Sequence, residues 1–177
     1  MKFNTTVDQC LHEGYSNILP ETKEPFIDVS NTLFQHGNNT PNLRKLIMGN
    51  PTKFEHLSYG PGIYITENAN VNNQGYGKYH YHVTLNPSTR MLNGNFRADV
   101  DDLEETFANS TGRFKKYLID CTSRYTYPSG IRLHAFLREA VQKKINLRET
   151  GWDGVAEKGL EVVLFNDKCI QSVKPIS

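Results

Sequence analysis

The chain has no stretch that approaches the roughly 18 consecutive apolar residues of a membrane-spanning helix. Its start, MKFNTTVDQCLHEGYSNILPE, has no apolar run of signal-peptide length either. These absences predict a protein that works in the cytoplasm, or is delivered into a host cell without a classical signal peptide. Cysteine is scarce. Cys10, Cys121 and Cys169 are odd in number and far apart, with no CxxC pair, which predicts free thiols in a reducing compartment. Charge of one sign is also lacking. A formal net charge of +1 argues against holding nucleic acid mainly by charge. There is no repeat and no low-complexity linker, so the 177 residues predict a single domain, 1–177. The absence of GxGxxG, of a P-loop and of a GxSxG elbow disfavours a Rossmann domain, a P-loop nucleotidase and a serine hydrolase.

What is present falls into strands, then helices, then strands. The polar residues 1–24 predict a short helix or turn. In 25-PFIDVSNTLFQHGNNT-40 a strand ends near His36, before the Asn-Asn turn. Pro41 suits the first turn of a helix that carries Leu43, Leu46 and Ile47 on one face. A strand follows over 63–66. The run 78-KYHYHVTLNP-87 alternates, with Tyr79, Tyr81, Val83 and Leu85 on one face, and predicts a half-buried strand. In the middle, Val100, Leu103 and Phe107 keep helical spacing, with Asp99, Asp101 and Asp102 near that helix's positive end. Residues 129–151 predict one longer helix from a Ser129 cap to a Gly151 stop, with Ile131, Phe136, Leu137, Ala140, Val141 and Ile145 as its apolar stripe. Strands return over 160–165 and 169–173, joined by a turn at Asn166-Asp167. Segregation of helices from strands predicts an α+β fold.

Glu161 is the first candidate for chemistry, because it stands in an otherwise apolar run, LEVVLF. On a bare strand the default is a carboxylate at the wet end. The functional alternative is a carboxylate held at a cleft, able to accept from a sugar hydroxyl and to support positive charge on a sugar ring. His36 before Gly37 can present an imidazole beside open backbone groups. His80 and His82 share one strand face and have zinc-ligand geometry, but nothing local supplies a third ligand, so no metal is expected. Arg113, Lys115, Lys116, Arg138, Lys143, Lys144 and Arg148, with Phe114, Tyr117, Tyr125 and Tyr127, could meet phosphates and bases. Glu139 and Glu149 among them favour an ordinary solvated face.

Taken together, three segments resemble the H-Y-E branch of the ADP-ribosyltransferases, which contains the poly(ADP-ribose) polymerases and diphtheria toxin. Phe34-Gln35-His36-Gly37 resembles the strand that carries the family histidine. Gly60-Pro61-Gly62-Ile63-Tyr64-Ile65-Thr66 is similar to the Gly-x-Gly-Ile-Tyr-Phe segment. Gly151-Trp152-Asp153-Gly154-Val155 followed by Glu161-Val162-Val163-Leu164-Phe165-Asn166 and Ile170-Gln171-Ser172-Val173 resembles the end of small bacterial and phage members. The resemblance covers both ends and the 60–87 region, and leaves out 95–148.

The resemblance implies a split β-sandwich of two small antiparallel sheets, with 95–148 as a helical insertion. It implies NAD as substrate and an enzyme that releases nicotinamide. His36 would bond the adenosine ribose, and the Gly37 backbone the nicotinamide amide. Tyr64 and Tyr76 would stack on the nicotinamide ring, the glycines before Tyr64 leaving room for it. Glu161 would hold the ribose hydroxyl and support the cationic transition state. The chain departs from the polymerases in reading Val71-Asn72-Asn73-Gln74 where they carry a serine before the second tyrosine. Arginine-modifying relatives have Glu or Gln two residues before the catalytic glutamate; here Gly159 stands there, with Glu157 nearby. With no flanking domain, the expectation is transfer of one ADP-ribose to a macromolecular acceptor, a host protein first and a nucleic acid second. A phage or bacterial effector or toxin is the implied setting. The alternatives are an NAD glycohydrolase and a non-catalytic NAD- or partner-binding module.

Overall fold

The computed structural model describes residues 14–16, 18–50, 52, 54, 58–67 and 77–176. Ten strands are described: β1 (Phe26–Ile27), β2 (Phe34–Asn38), β3 (Ile63–Ile65), β4 (Tyr79–Leu85), β5 (Met91–Asn93), β6 (Arg97–Ala98), β7 (Ile131–Arg132), β8 (Gly154–Ala156), β9 (Val162–Leu164) and β10 (Ile170–Pro175). Three α-helices are described among them: α1 (Val100–Thr106), α2 (Gly112–Arg124) and α3 (Leu133–Gln142). The fold is mixed α+β, as the segregation of elements predicts.

The strands form a five-stranded sheet in the order β1-β5-β8-β9-β3, a three-stranded sheet β10-β4-β2, and the small ribbon β6-β7. The larger sheet is a middle layer. Leu92, Val155 and Val163 point to one side, into a core with the helical residues Phe107, Phe114, Phe136, Leu137 and Val141. Their neighbours Met91, Ala156, Val162 and Leu164 point to the other side, against Phe34, Tyr81, Val83 and Leu85 of the smaller sheet. A strand covered on both faces needs apolar residues at every position, which is why β9 reads Val-Val-Leu without alternation.

Several expectations change. The larger sheet is not purely antiparallel, because β5 and β8 run parallel, joined through all three helices. Residues 95–148 pack their helices directly onto that sheet. The helix expected after Pro41 is absent: residues 43–50 have no regular structure. Asn42 takes φ 55°, and the buried Tyr81 hydroxyl donates to the Thr40 carbonyl and accepts from the Leu43 N–H, holding the segment open along β4. β4 itself is central in its sheet and buried on both faces from Tyr81 onward, so it is not half-solvated. The long helix over 129–151 is only α3. Residues 131–132 are taken by β7, Lys144 turns the chain at φ 58°, and Leu147–Thr150 form a 3₁₀ turn closed by Gly151 at φ 82°. α1 starts as predicted, with Asp99 as N-cap and Asp102 returning the bond to its N–H.

The glycines before Tyr64 serve packing. A Cβ on Gly62 would lie 2.5 Å from Val163 Cγ1 and 3.0 Å from the Leu164 carbonyl, so β9 presses on the bare backbone there; Gly60 takes φ 67°. Gly62→Ala is expected to cost about 1–3 kcal/mol through overpacking, read as a lower urea midpoint at unchanged slope.

Candidate functional site

The two sheets meet where β2 adjoins β3. Gln35 and Thr66 exchange backbone bonds of 2.8 and 2.9 Å. Beside this bridge, His36 Nδ1 lies 2.8 Å from the Tyr64 carbonyl. A carbonyl only accepts, so Nδ1 carries the hydrogen, and Nε2 turns its lone pair toward Asn38 Nδ2 at 3.4 Å. Burial holds the imidazole below the ordinary histidine value, opposed by that carbonyl bond. The folded protein therefore refuses a proton that the unfolded chain takes up near pH 6.5. Stability is full above that value and is lost as pH falls toward the lowered folded value. His36→Gln is expected to flatten this loss, measured as urea midpoints from about pH 7.5 to about pH 5.

β3 pairs with β9 so that Tyr64 stands opposite Val163. Alternation along a strand places Glu161 on the same side as Val163, the side of the helices. Tyr64 is half-buried there. Its hydroxyl donates to the Gly60 carbonyl at 2.9 Å and accepts from the Tyr59 N–H at 3.1 Å. Burial pushes that hydroxyl up to about 12, with Glu161 raising it and Arg138 lowering it. Gly37 lies in β2 opposite His80. Tyr76 lies outside the described residues.

Glu157 and Glu161 close the hairpin between β8 and β9. The Glu157 N–H donates to the Glu161 carbonyl at 2.7 Å, with Gly159 at φ 77° in the turn. Glu67 clamps this turn: one carboxylate oxygen accepts from the Gly159 N–H and the other from the Leu19 N–H, both at 2.6 Å. The two hairpin carboxylates fare differently. Glu157 is 4% exposed. It accepts from the Tyr59 hydroxyl at 2.8 Å and from Arg138 Nη2 at 2.6 Å. Burial pushes the Tyr59 hydroxyl well above its ordinary value, and the bond to Glu157 adds to that. Glu161 is half-buried. Its Oε1 is 3.4 Å from the Ser58 hydroxyl, while its buried Oε2 has no hydrogen-bond partner among the described residues and lies 3.8 Å from Arg138 Nη2.

The fold thus places His36 on β2, Tyr64 on β3, which bridges to β2, and Glu161 just ahead of β9, the partner of β3. Comparison with protein-family models, with curated proteins and with solved structures finds no match. The site's chemistry stands on this geometry alone. A half-buried carboxylate, with an arginine beside it, can accept from a hydroxyl and hold a developing positive charge. Among the described residues no group of three or more His, Cys, Asp or Glu is placed to hold a metal ion, and no helix is long and apolar enough to cross a membrane. His80 and His82 lie on β4, which is buried from Tyr81 onward; His82 is 8% exposed. Three of the basic residues are engaged internally: Arg113 with the carbonyls of Lys143 and Lys144, Arg148 with that of Phe165, and Arg138 with Glu157.

Sequence reasoning missed Tyr59 and the roles of Arg138 and Glu157. Arg138 counts there as one more basic residue of the helical middle. Its position beside Leu137 and Val141, at the margin of the apolar stripe, is the signal that it faces inward. Glu157 follows Val155 and Ala156 without a break and so occupies what would be a core position. Nothing local marks Tyr59, whose partner lies far along the chain.

Proposed function

We propose that the chain is an NAD-dependent mono-ADP-ribosyltransferase that moves ADP-ribose to a macromolecular acceptor and releases nicotinamide. The observation that carries this reading is the placement of His36 on β2, Tyr64 on the bridged strand β3 and Glu161 at the entry to β9, with the half-buried Glu161 carboxylate 3.8 Å from Arg138. The seam between the two sheets at β2 and β3 supports the finer reading of an ADP-ribosyltransferase-like split sandwich.

In this reading NAD lies along the seam. His36 Nε2 accepts from the adenosine ribose, the Gly37 backbone pairs with the nicotinamide amide, and the Tyr64 ring stacks on nicotinamide. Tyr76 is the proposed second wall. The bond from the ribose anomeric carbon to nicotinamide breaks, and its electron pair leaves with nicotinamide. Glu161 accepts from the ribose 2′-hydroxyl and offsets the positive charge left on the ring. The acceptor nucleophile then bonds to the anomeric carbon and gives up its proton.

Incubation with labelled NAD in a cell lysate tests this, comparing wild type with Glu161→Gln. Label on a macromolecule, removed by protease and absent with Glu161→Gln, is expected. Loss of label to nuclease instead would make the acceptor a nucleic acid. Free ADP-ribose as the only product would make the enzyme a glycohydrolase. No nicotinamide release with any acceptor would leave a binding module and end the reading.

A further inference from the structure

The hairpin places two carboxylates, Glu157 and Glu161, across from each other, with a backbone bond of 2.7 Å between them. Like charges directly opposite repel, and burial strengthens the repulsion. Arg138 supplies the cation between them. It does not depend on Glu161 for its placement. Its guanidinium lies over the Tyr59 ring with 4.9 Å to the centroid, and its Nη2 bonds Glu157 at 2.6 Å. Tyr59 in turn fixes Glu157 through its hydroxyl. Tyr59 and Glu157 are both buried, so this pair forms a rigid seat on which the guanidinium rests. From that seat Nη2 reaches to 3.8 Å from Glu161 Oε2, close enough for attraction but beyond hydrogen-bond length. The charge is therefore offered without occupying the oxygen's lone pairs. Arg138 Nε is buried and has no hydrogen-bond partner among the described residues.

We infer that Arg138 is a positioning residue for Glu161: seated on Tyr59 and Glu157, it draws the buried Oε2 inward and so aims the carboxylate, leaving Oε1 to meet a substrate hydroxyl. This deepens the proposed function and rests on it for the identity of the substrate. Through α3, the helical layer then controls the geometry of a group on the sheet.

The test is a double-mutant cycle with wild type, Arg138→Met, Glu161→Gln and the double variant, with Arg138→Lys added. Nicotinamide release from labelled NAD and NAD binding are measured on each. Arg138→Met is expected to lower kcat on the order of 10²-fold, the loss that a misplaced reacting group brings, with NAD affinity changed by only a few-fold. Arg138→Lys keeps the charge but not the planar fork and recovers part of the rate. With Glu161 already replaced, removing Arg138 changes kcat by no more than about twofold, because residues that act as a unit are not additive. Losses that multiply in the double variant, or a fully active Arg138→Met, overturn the inference and leave the transferase reading standing.

Urea midpoints of the same proteins report the Arg138–Glu161 coupling whether or not NAD is turned over. If wild type releases no nicotinamide and the midpoints are coupled, only the proposed function falls. If it releases none and the midpoints are additive, both fall.

Discussion

Glu161→Gln is expected to slow nicotinamide release by about 10²- to 10³-fold, the range seen when a preorganised electrostatic group is lost, while NAD binds within a few-fold of wild type. Glutamine keeps the size of the side chain and can still take the Ser58 bond at Oε1. It loses the negative charge, and that charge matters most when the ribose carries a positive one, in the transition state. An interaction made mainly there appears in kcat and hardly in ground-state affinity. The measurement is single-turnover release of labelled nicotinamide alongside NAD binding by calorimetry. Full turnover by Glu161→Gln would remove this residue from the mechanism. An equal fall in affinity and rate would make it an ordinary binding contact.

Phe136→Ala is expected to lower stability by about 3–5 kcal/mol, the usual cost of emptying a buried aromatic site, a large share of what a domain of this size has. Phe136 is fully buried at the centre of the helical layer. Its ring lies 5.0 Å from Tyr117, 5.9 Å from Phe107 and 6.2 Å from Phe114, centroid to centroid. The Tyr117 hydroxyl also bonds its carbonyl at 3.1 Å. Three rings around one vacancy cannot all move in to fill it, so a cavity remains. Urea unfolding measures the loss. Because Arg138 lies two residues further along α3, the same variant should lose nicotinamide release before it loses its fold.

How far the sequence revealed this depends on what each residue touches. β2, β3 and β4 were legible because flanking turns or alternation mark them. Asp99 was legible as the start of a helix because a cap is a local event, closed within three residues by Asp102. β5 and β8 were not, since three-residue strands buried on both faces carry no period, and their parallel pairing joins segments from either side of the helices. The predicted 129–151 helix failed because Ile145 and Leu147 continue the apolar count after Lys144 has turned the chain; both are buried, but not from one helix.

The site divides in the same way. His36, Tyr64 and Glu161 each stand in or beside a strand with a recognisable neighbourhood, and the fold sets those strands next to one another. Tyr59, Glu157 and Arg138 acquire their roles only from one another, across 98 residues in one case and 19 in the other. No local pattern encodes such a meeting.

The pairing of β3 with β9 also fixes when the site can exist. During synthesis the segment bearing Tyr64 is made about a hundred residues before its partner Val162–Leu164. β4 likewise precedes its partner β10. Glu161 and its hairpin belong to the same later segment as Val162–Leu164, so a chain cut before β8 has neither the carboxylate nor the strand that sets it beside Tyr64. The proposed activity therefore needs segments from both sides of the helical layer, and a fragment ending before β9 is expected to be inert.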